Sequence, residues 1–251
     1  MKKAQILIAF DDGIADHADA ATCLSIKGLF GCFGLVTSKI DHVGFLTIDN
    51  LSYMRKLGHF ICNHSAEHKW LGQGPDKPGL AKCPRQEVTD DYLAGKAWLD
   101  SHGFHGDYLF LPFGTANVDG DLHIAELLKH FKWIRLTMGA PLPPEHGLWT
   151  PAGGKRLYPS NYNGPLIGLT EVADVRRPNG IKDAVDNAIG VRGLAVVLYH
   201  TVCHVVGETQ MITWERFLSD IDYIDDKVKR GLLESVTPVA LMTEKRTERT
   251  A

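Results

Sequence analysis

Cysteine is sparse in this sequence: Cys23, Cys32, Cys62, Cys83 and Cys203 are odd in number, widely spaced and without a CxxC pair. That spacing excludes a disulfide framework and a zinc knuckle, and fits buried thiols in a reducing compartment. Long apolar runs are missing too; none approaches the roughly 18 residues of a membrane span. The stretch Ala4–Phe10 is short and stops at Asp11 and Asp12. Lys2 and Lys3 precede it, yet no small-residue cleavage site follows, so it does not read as a signal peptide and cytoplasm is the expected location. Neither sign of charge dominates: 27 Lys and Arg face 30 Asp and Glu, for a net charge of −3. A general nucleic-acid binder would show a basic face. There is no repeat, no low-complexity tract, and no GxGxxG, GxxxxGK or GxSxG pattern, so nothing calls for an organic cofactor.

What is present is an ordinary globular composition, 44 % apolar over 251 residues. That is enough for one continuous core, and we expect one catalytic domain over 1–251. Gln5–Phe10 reads as a buried strand running into Asp-Asp-Gly, His17–Lys27 as a helix ending near Gly28, and Cys32–Thr37 as the next strand. Helix Asp49–Leu57, strand His59–Cys62, helix Gln86–Ser101, strand Tyr108–Leu111, helix Leu122–His130 and strand Trp133–Leu136 continue the alternation. Helix Asp183–Val191, strand Leu194–Tyr199, helix Trp214–Lys229 capped by Thr213, and a last strand Val236–Met242 complete it. Trp70–Pro84 and Pro141–Pro165 are long excursions rich in Pro and Gly, and Thr243–Ala251 is a charged tail. Strands alternating with helices fit a closed or nearly closed β/α barrel, or a doubly wound open sheet. Periodicity does not separate the two.

Two places combine ligand-type residues with a strand end, where parallel α/β folds build sites. One is Asp11-Asp12-Gly13, whose adjacent carboxylates can face different ways, one toward a metal and one toward a proton. The other is His64-Ser65-Ala66-Glu67-His68. Two histidines at i and i+4 on a helical turn stack their imidazoles, and with Asp12 they form one carboxylate and two imidazoles with positions left open. Glu67 points away, so HExxH chemistry is absent.

Phe10–Gly13 (FDDG) followed by Leu57–His68 (LGHFICNHSAEH) resembles the first two motifs of the polysaccharide deacetylase family, the NodB-homology domain. Leu111–Gly114 (LPFG), Val197–His200 (VLYH) and the stretch Met211–Asp222 resemble later segments in the same order, so the likeness spans nearly the whole chain. The resemblance implies an α/β fold, a distorted (β/α) barrel of the seven-stranded polysaccharide deacetylase type. It implies metal-dependent removal of an N-acyl group, acetyl or formyl, from an amino sugar or a surface-polysaccharide intermediate. By motif, Asp11 is then the general base, Asp12, His64 and His68 the metal ligands, His200 the general acid, and the backbone N–H of Phe113 an oxyanion donor. The ion is expected to be zinc, with cobalt, nickel or manganese also suited to mixed imidazole and carboxylate.

Two departures stand out. Phe110 occupies the place of the family's third-motif arginine, and no aspartate appears around Trp133–Gly139 to orient the acid. Arg135, or a cation from the second excursion such as Lys155, is therefore expected to approach Asp11, unless backbone donors and water serve it. Trp70, Trp149, Tyr158 and Tyr162 can stack on a sugar face or pack locally. His204 is a rival proton donor to His200, and its neighbour Cys203 lacks the orienting residue thiol catalysis needs. Other readings are hydrolysis of a small non-sugar amide, or a carbohydrate-binding protein with an impaired site.

Overall fold

The computed structural model describes residues 3–72, 79–114, 117–118, 121–136, 166–167, 170–174, 176–203 and 211–242, with 117–118, 121–122 and 166–167 by backbone alone. Strands β1 (Ala4–Phe10), β2 (Gly31–Leu35), β3 (Phe60–Asn63), β4 (His105–Phe110) and β5 (Trp133–Arg135) lie side by side, all parallel. Helices α1 (His17–Ile26), α2 (Ile48–Lys56), α3 (Arg85–Ser101) and the short α4 (Ile124–Leu127) connect them. Strand β6 (Leu166–Ile167) pairs with β5, and β7 (Glu171–Val172) pairs with β8 (Leu194–Tyr199), which lies on the other side of β1. Helix α5 (Gly180–Val191) precedes β8, and α6 (Trp214–Lys229) precedes β9 (Leu233–Ser235).

The seam between β6 and β7 decides the architecture. These strands sit at opposite edges of the sheet, yet the segment 166–172 contains both. At roughly 3.3 Å per residue that segment spans only about 20 Å, so the sheet must curl until its edges face each other. The Thr170 hydroxyl donates to the Leu136 carbonyl at 3.0 Å and ties the segment to the β5 side. Counting 166–172 once and leaving aside β9, which pairs with β1 off this path, the wall has seven parallel strands, curled and incompletely closed, with helices outside: a distorted (β/α) barrel.

Side-chain parity sorts the core. Ile6, Ile8 and Phe10 of β1 face out and pack with Leu24, Val185, Phe217 and Ile221 of the helices. Leu7 and Ala9 face in and meet Cys32, Cys62, Phe110, Trp133 and Leu198 from the surrounding strands. Both faces are covered, which is why β1 and β8 read as continuous apolar runs rather than alternating ones.

Several expected elements shift. The last strand is Leu233–Ser235, pairing with Ala4–Ile6, whereas residues 238–242 are helical. Pro238 has no N–H for a ladder and suits a helix's first turn. On either side of it Val236 and Leu241 join the inward-facing cluster, and Val236 N–H donates to the Ile6 carbonyl, so this segment plugs the barrel floor. The helix expected over Leu122–His130 shortens to Ile124–Leu127. Ile26 belongs to α1 but is 80 % exposed. Thr213 does cap α6, its hydroxyl accepting from Arg216 N–H at 3.2 Å. All five cysteines are free. No helix among the described residues is long and apolar enough to cross a membrane. The excursion 141–165 and the tail 243–251 lie outside the described residues.

Candidate active site

The inward parity of each strand, continued one step past the apolar layer, generates the site. Leu7 and Ala9 lead to Asp11, Phe60 and Cys62 to His64, Val196 and Leu198 to His200, and Trp133 to Arg135. Because the strands are parallel, these steps all end at the same rim. Asp12 breaks the series: its φ of 77° and that of Gly13, 70°, turn the chain sharply.

Asp12, His64 and His68 form a compact triangle. Asp12 Oδ1 lies 3.3 Å from His64 Nε2 and 3.4 Å from His68 Nε2, and the two Nε2 atoms are 3.2 Å apart. Three ligands at about 2.0–2.1 Å from one tetrahedral ion stand about 3.3 Å from each other, so the donor set fits a divalent metal. His64 Nδ1–H donates to the Phe110 carbonyl at 2.7 Å and aims Nε2 into the triangle; burial lowers the His64 pKa, but Asp11 and Asp12 outweigh it and raise it, which favours a proton on Nε2 that a bound metal would displace. Burial pushes the Asp12 carboxyl up, but the His64 hydrogen bond and the imidazole charges outweigh it and hold it well below the usual range. Burial, then His64, pushes the His68 imidazole down to about 4, so it offers a lone pair at neutral pH.

The loop is not the helical turn expected from the i, i+4 spacing. Residues 64–69 are irregular, with Ser65 at φ 77° and His68 at φ 61°. The imidazoles meet because two left-handed residues fold the loop back. Glu67 is exposed, as expected, and pairs with Lys69.

Asp11 stands beside the triangle and is buried. Its Oδ1 accepts from the Arg135 guanidinium, while Oδ2 lies 3.9 Å from His64 Nε2 and 4.0 Å from His200 Nε2. Arg135 is fully buried, and its Cζ lies 4.2 Å over the Phe110 ring. Phe110 and Arg135 are direct partners in the β4–β5 ladder. The cation absent from position 110 is thus delivered from the adjacent strand, and the aromatic ring that stands there becomes its stacking surface. Burial raises the Asp11 pKa, but Arg135, His64 and His200 together bring it below the ordinary carboxylate range.

His200 reaches the same rim. Burial lowers its pKa, against the opposing pull of Asp11 and Asp12. Its Nδ1 is buried without a hydrogen-bond partner among the described residues. Asp174, just beyond β7, accepts instead from the backbone N–H and guanidinium of Arg176. What holds His200 is its main chain: His17 Nε2–H donates to the His200 carbonyl at 2.6 Å. His17 is fully buried and set edge-on to Phe10, a role nothing in its local sequence announces.

Phe113 lies in the turn Pro112–Gly114 at φ 57°, its ring edge-on to His68 with centroids 4.5 Å apart. Trp70 is buried and meets Phe113 edge-on at 6.5 Å, so it packs locally rather than offering an open stacking face. Trp149, Lys155, Tyr158, Tyr162 and His204 lie outside the described residues. Asp11, Asp12, His64, His68, Arg135 and His200, the residues singled out in the sequence, stand together at this rim, and His17, which no motif marks, lies beside them.

No family model matches the chain, and no curated protein matches it. Among solved structures it is similar to a family 4 acetyl xylan esterase from Clostridium thermocellum in complex with a cobalt ion, with a TM-score of 0.57, 17 % identity, and 96 % of this chain and 91 % of that one covered. It is also similar to the peptidoglycan deacetylase PdaC from Bacillus subtilis, with a TM-score of 0.54, 14 % identity, and coverage of 99 % and 94 %. The match to the Streptococcus pyogenes deacetylase PplD in complex with acetate has a TM-score of 0.44 and 20 % identity; it covers 53 % of this chain and spans 56 % of that protein's length. What the first two share with this chain at these identities is the fold.

Proposed function

We propose that the protein is a metal-dependent hydrolase that removes an N-acyl group, acetyl or formyl, from an amino sugar or a surface-polysaccharide intermediate. The observation that carries the reading is the Asp12, His64, His68 triangle with Asp11 and His200 on one flank. The fold shared with enzymes described as deacetylases and an acetyl xylan esterase supports an acyl group on a carbohydrate as the substrate.

Asp12, His64 and His68 would hold a divalent ion, zinc in the first instance. When bound, a divalent ion there supplies a Lewis acid that polarises a carbonyl and lowers the pKa of water. The chain supplies the rest. Asp11, kept ionised by Arg135, takes the proton of the attacking water through Oδ2, the oxygen not engaged by the guanidinium. The Phe113 N–H, in the turn beside His68, is the donor assigned to the developing oxyanion, a charge that preorganised donors stabilise. His200 delivers a proton to the leaving nitrogen, and Asp11 and Asp12 offset part of the burial that lowers its pKa. Arg135 keeps the Asp11 charge fixed in place rather than touching substrate.

A panel of N-acetylated and N-formylated glycans, assayed for acetate and formate release alongside metal content, tests the reading. We expect metal-loaded protein to release one of the two acids and metal-stripped protein to release neither. Metal-loaded protein that leaves every glycan intact contradicts it.

A further inference from the structure

The loop that carries His68 is in an unfavourable conformation, and the cause of its persistence lies on α3. Ser65 and His68 both occupy the left-handed region without being glycine, which free chains disfavour. Against this loop α3 presents Asp91 and Gly95, one helical turn apart and so on the same face. Asp91 is buried, and its two carboxyl oxygens divide the work: Oδ1 accepts from Glu67 N–H at 2.6 Å and Oδ2 from Lys69 N–H at 3.1 Å. The Asp91 carbonyl also accepts from Ala66 N–H at 3.1 Å. The two amides bonded by the carboxyl flank His68 directly. Gly95 makes the approach possible: a Cβ there would lie 2.5 Å from Asn63 Oδ1 and 2.7 Å from the Ser65 carbonyl carbon. A glycine inside a helix is costly, and this one admits the loop.

We infer that the Asp91–Gly95 face of α3 is the template that sets the position of His68, making Asp91 a positioning residue for metal affinity. The inference rests on the reading of Asp12, His64 and His68 as ligands. Outer partners that orient ligands typically change metal affinity by about 10–100-fold. Asn at position 91 keeps the shape but presents an N–H₂ group to one of the two amides, so one bond becomes a repulsion.

The test is titration of the apo chain with Co²⁺, followed by its absorption bands, and competition with Zn²⁺. We expect D91N and G95A each to weaken binding by about 10–100-fold. D90N removes the same charge from the neighbouring residue, whose side chain bonds only Gln86 on the described surface, and should bind as wild type. In the wild-type apo chain, amide exchange at Glu67 and Lys69 should be as slow as within α3, a reading that needs no variant to fold. Wild-type affinity in D91N and G95A, equal losses in D90N and D91N, or rapid exchange at both amides would overturn the inference. A wild-type chain that takes up neither ion overturns the ligand reading beneath it instead.

Discussion

The two halves of the barrel rim are held in different ways. On the β1–β3 side, His64 and His68 are fixed through hydrogen bonds to both ring and backbone: His64 Nδ1 to the Phe110 carbonyl, His68 N–H to Ser65 Oγ at 2.7 Å, and the loop amides to Asp91. Where β1 meets β8, Asp11 is clamped by a buried guanidinium from β5, but the His200 ring makes no hydrogen bond among the described residues. Only its carbonyl is tied, through His17. The difference matches the tasks we propose for them. A ligand set gains from fixed geometry, since three donors must converge on one point. A proton donor must present its proton to a leaving group, and a ring held through its backbone can turn between partners.

The largest effect should come from breaking the fixed half. H64A and H68A remove one corner of the triangle, and we expect each to lose the ion and nearly all turnover, read by elemental analysis and acid release. Retained metal in both variants contradicts the ligand assignment. D12N should likewise weaken retention.

D11N should keep the ion and lower the rate by roughly two to four orders of magnitude, the usual worth of a positioned base. R135L sharpens this point, because it leaves Asp11 as a buried charge without its partner, a change that costs about 3–5 kcal/mol. The Asp11 pKa then follows burial and rises, so the acid limb of the rate profile should move to higher pH. Adding F110R returns a guanidinium to the adjoining strand position, and the double variant should recover part of both losses. A rate profile unmoved in R135L would separate Arg135 from the chemistry.

H200A tests the side of the rim where the ring is held through its backbone. It should retain metal and lose turnover on an unactivated amide by up to about the same factor as D11N. On an aryl ester, whose leaving group needs no proton, the loss should be far smaller. Equal losses on both substrates would remove His200 from the acid role.

The smallest effect on activity belongs to His17 and shows in stability. Burial pushes its imidazole down to about 4 from 6.5. Between those values the unfolded chain binds a proton there and the folded chain does not, so this residue makes stability fall as pH is lowered from about 6.5 to about 4. The contribution is on the order of 3 kcal/mol. H17F fills the pocket without titrating, and its unfolding free energy should decline less steeply over that window. An unchanged slope would mean that the ring is protonated in the folded state.

The same contrast explains what could be read from the sequence. His64 and His68 are visible because they lie four residues apart at the end of an apolar strand; so is Asp12, beside the glycine that turns the chain. β1 and β8 were legible as strands because both of their faces are buried. The chain conformation of the ligand loop was not, since an i, i+4 spacing is shared by a helix and by a loop folded through Ser65 and His68. Arg135 was one of several candidate cations until the β4–β5 register set it opposite Phe110. His17 reaches a carbonyl 183 positions away, and no local pattern encodes such a contact. Residues 236–242 misled because an apolar stretch plugging a barrel floor has the composition of a strand.

The central claim is that one divalent ion sits between Asp12, His64 and His68 with Asp11 and His200 alongside. An anomalous difference map from a crystal grown with zinc, collected at the absorption edge, tests it most directly. The account predicts the strongest peak about 2.0–2.2 Å from Asp12 Oδ1 and from Nε2 of both histidines. A strongest peak elsewhere, with no density inside the triangle, would contradict it.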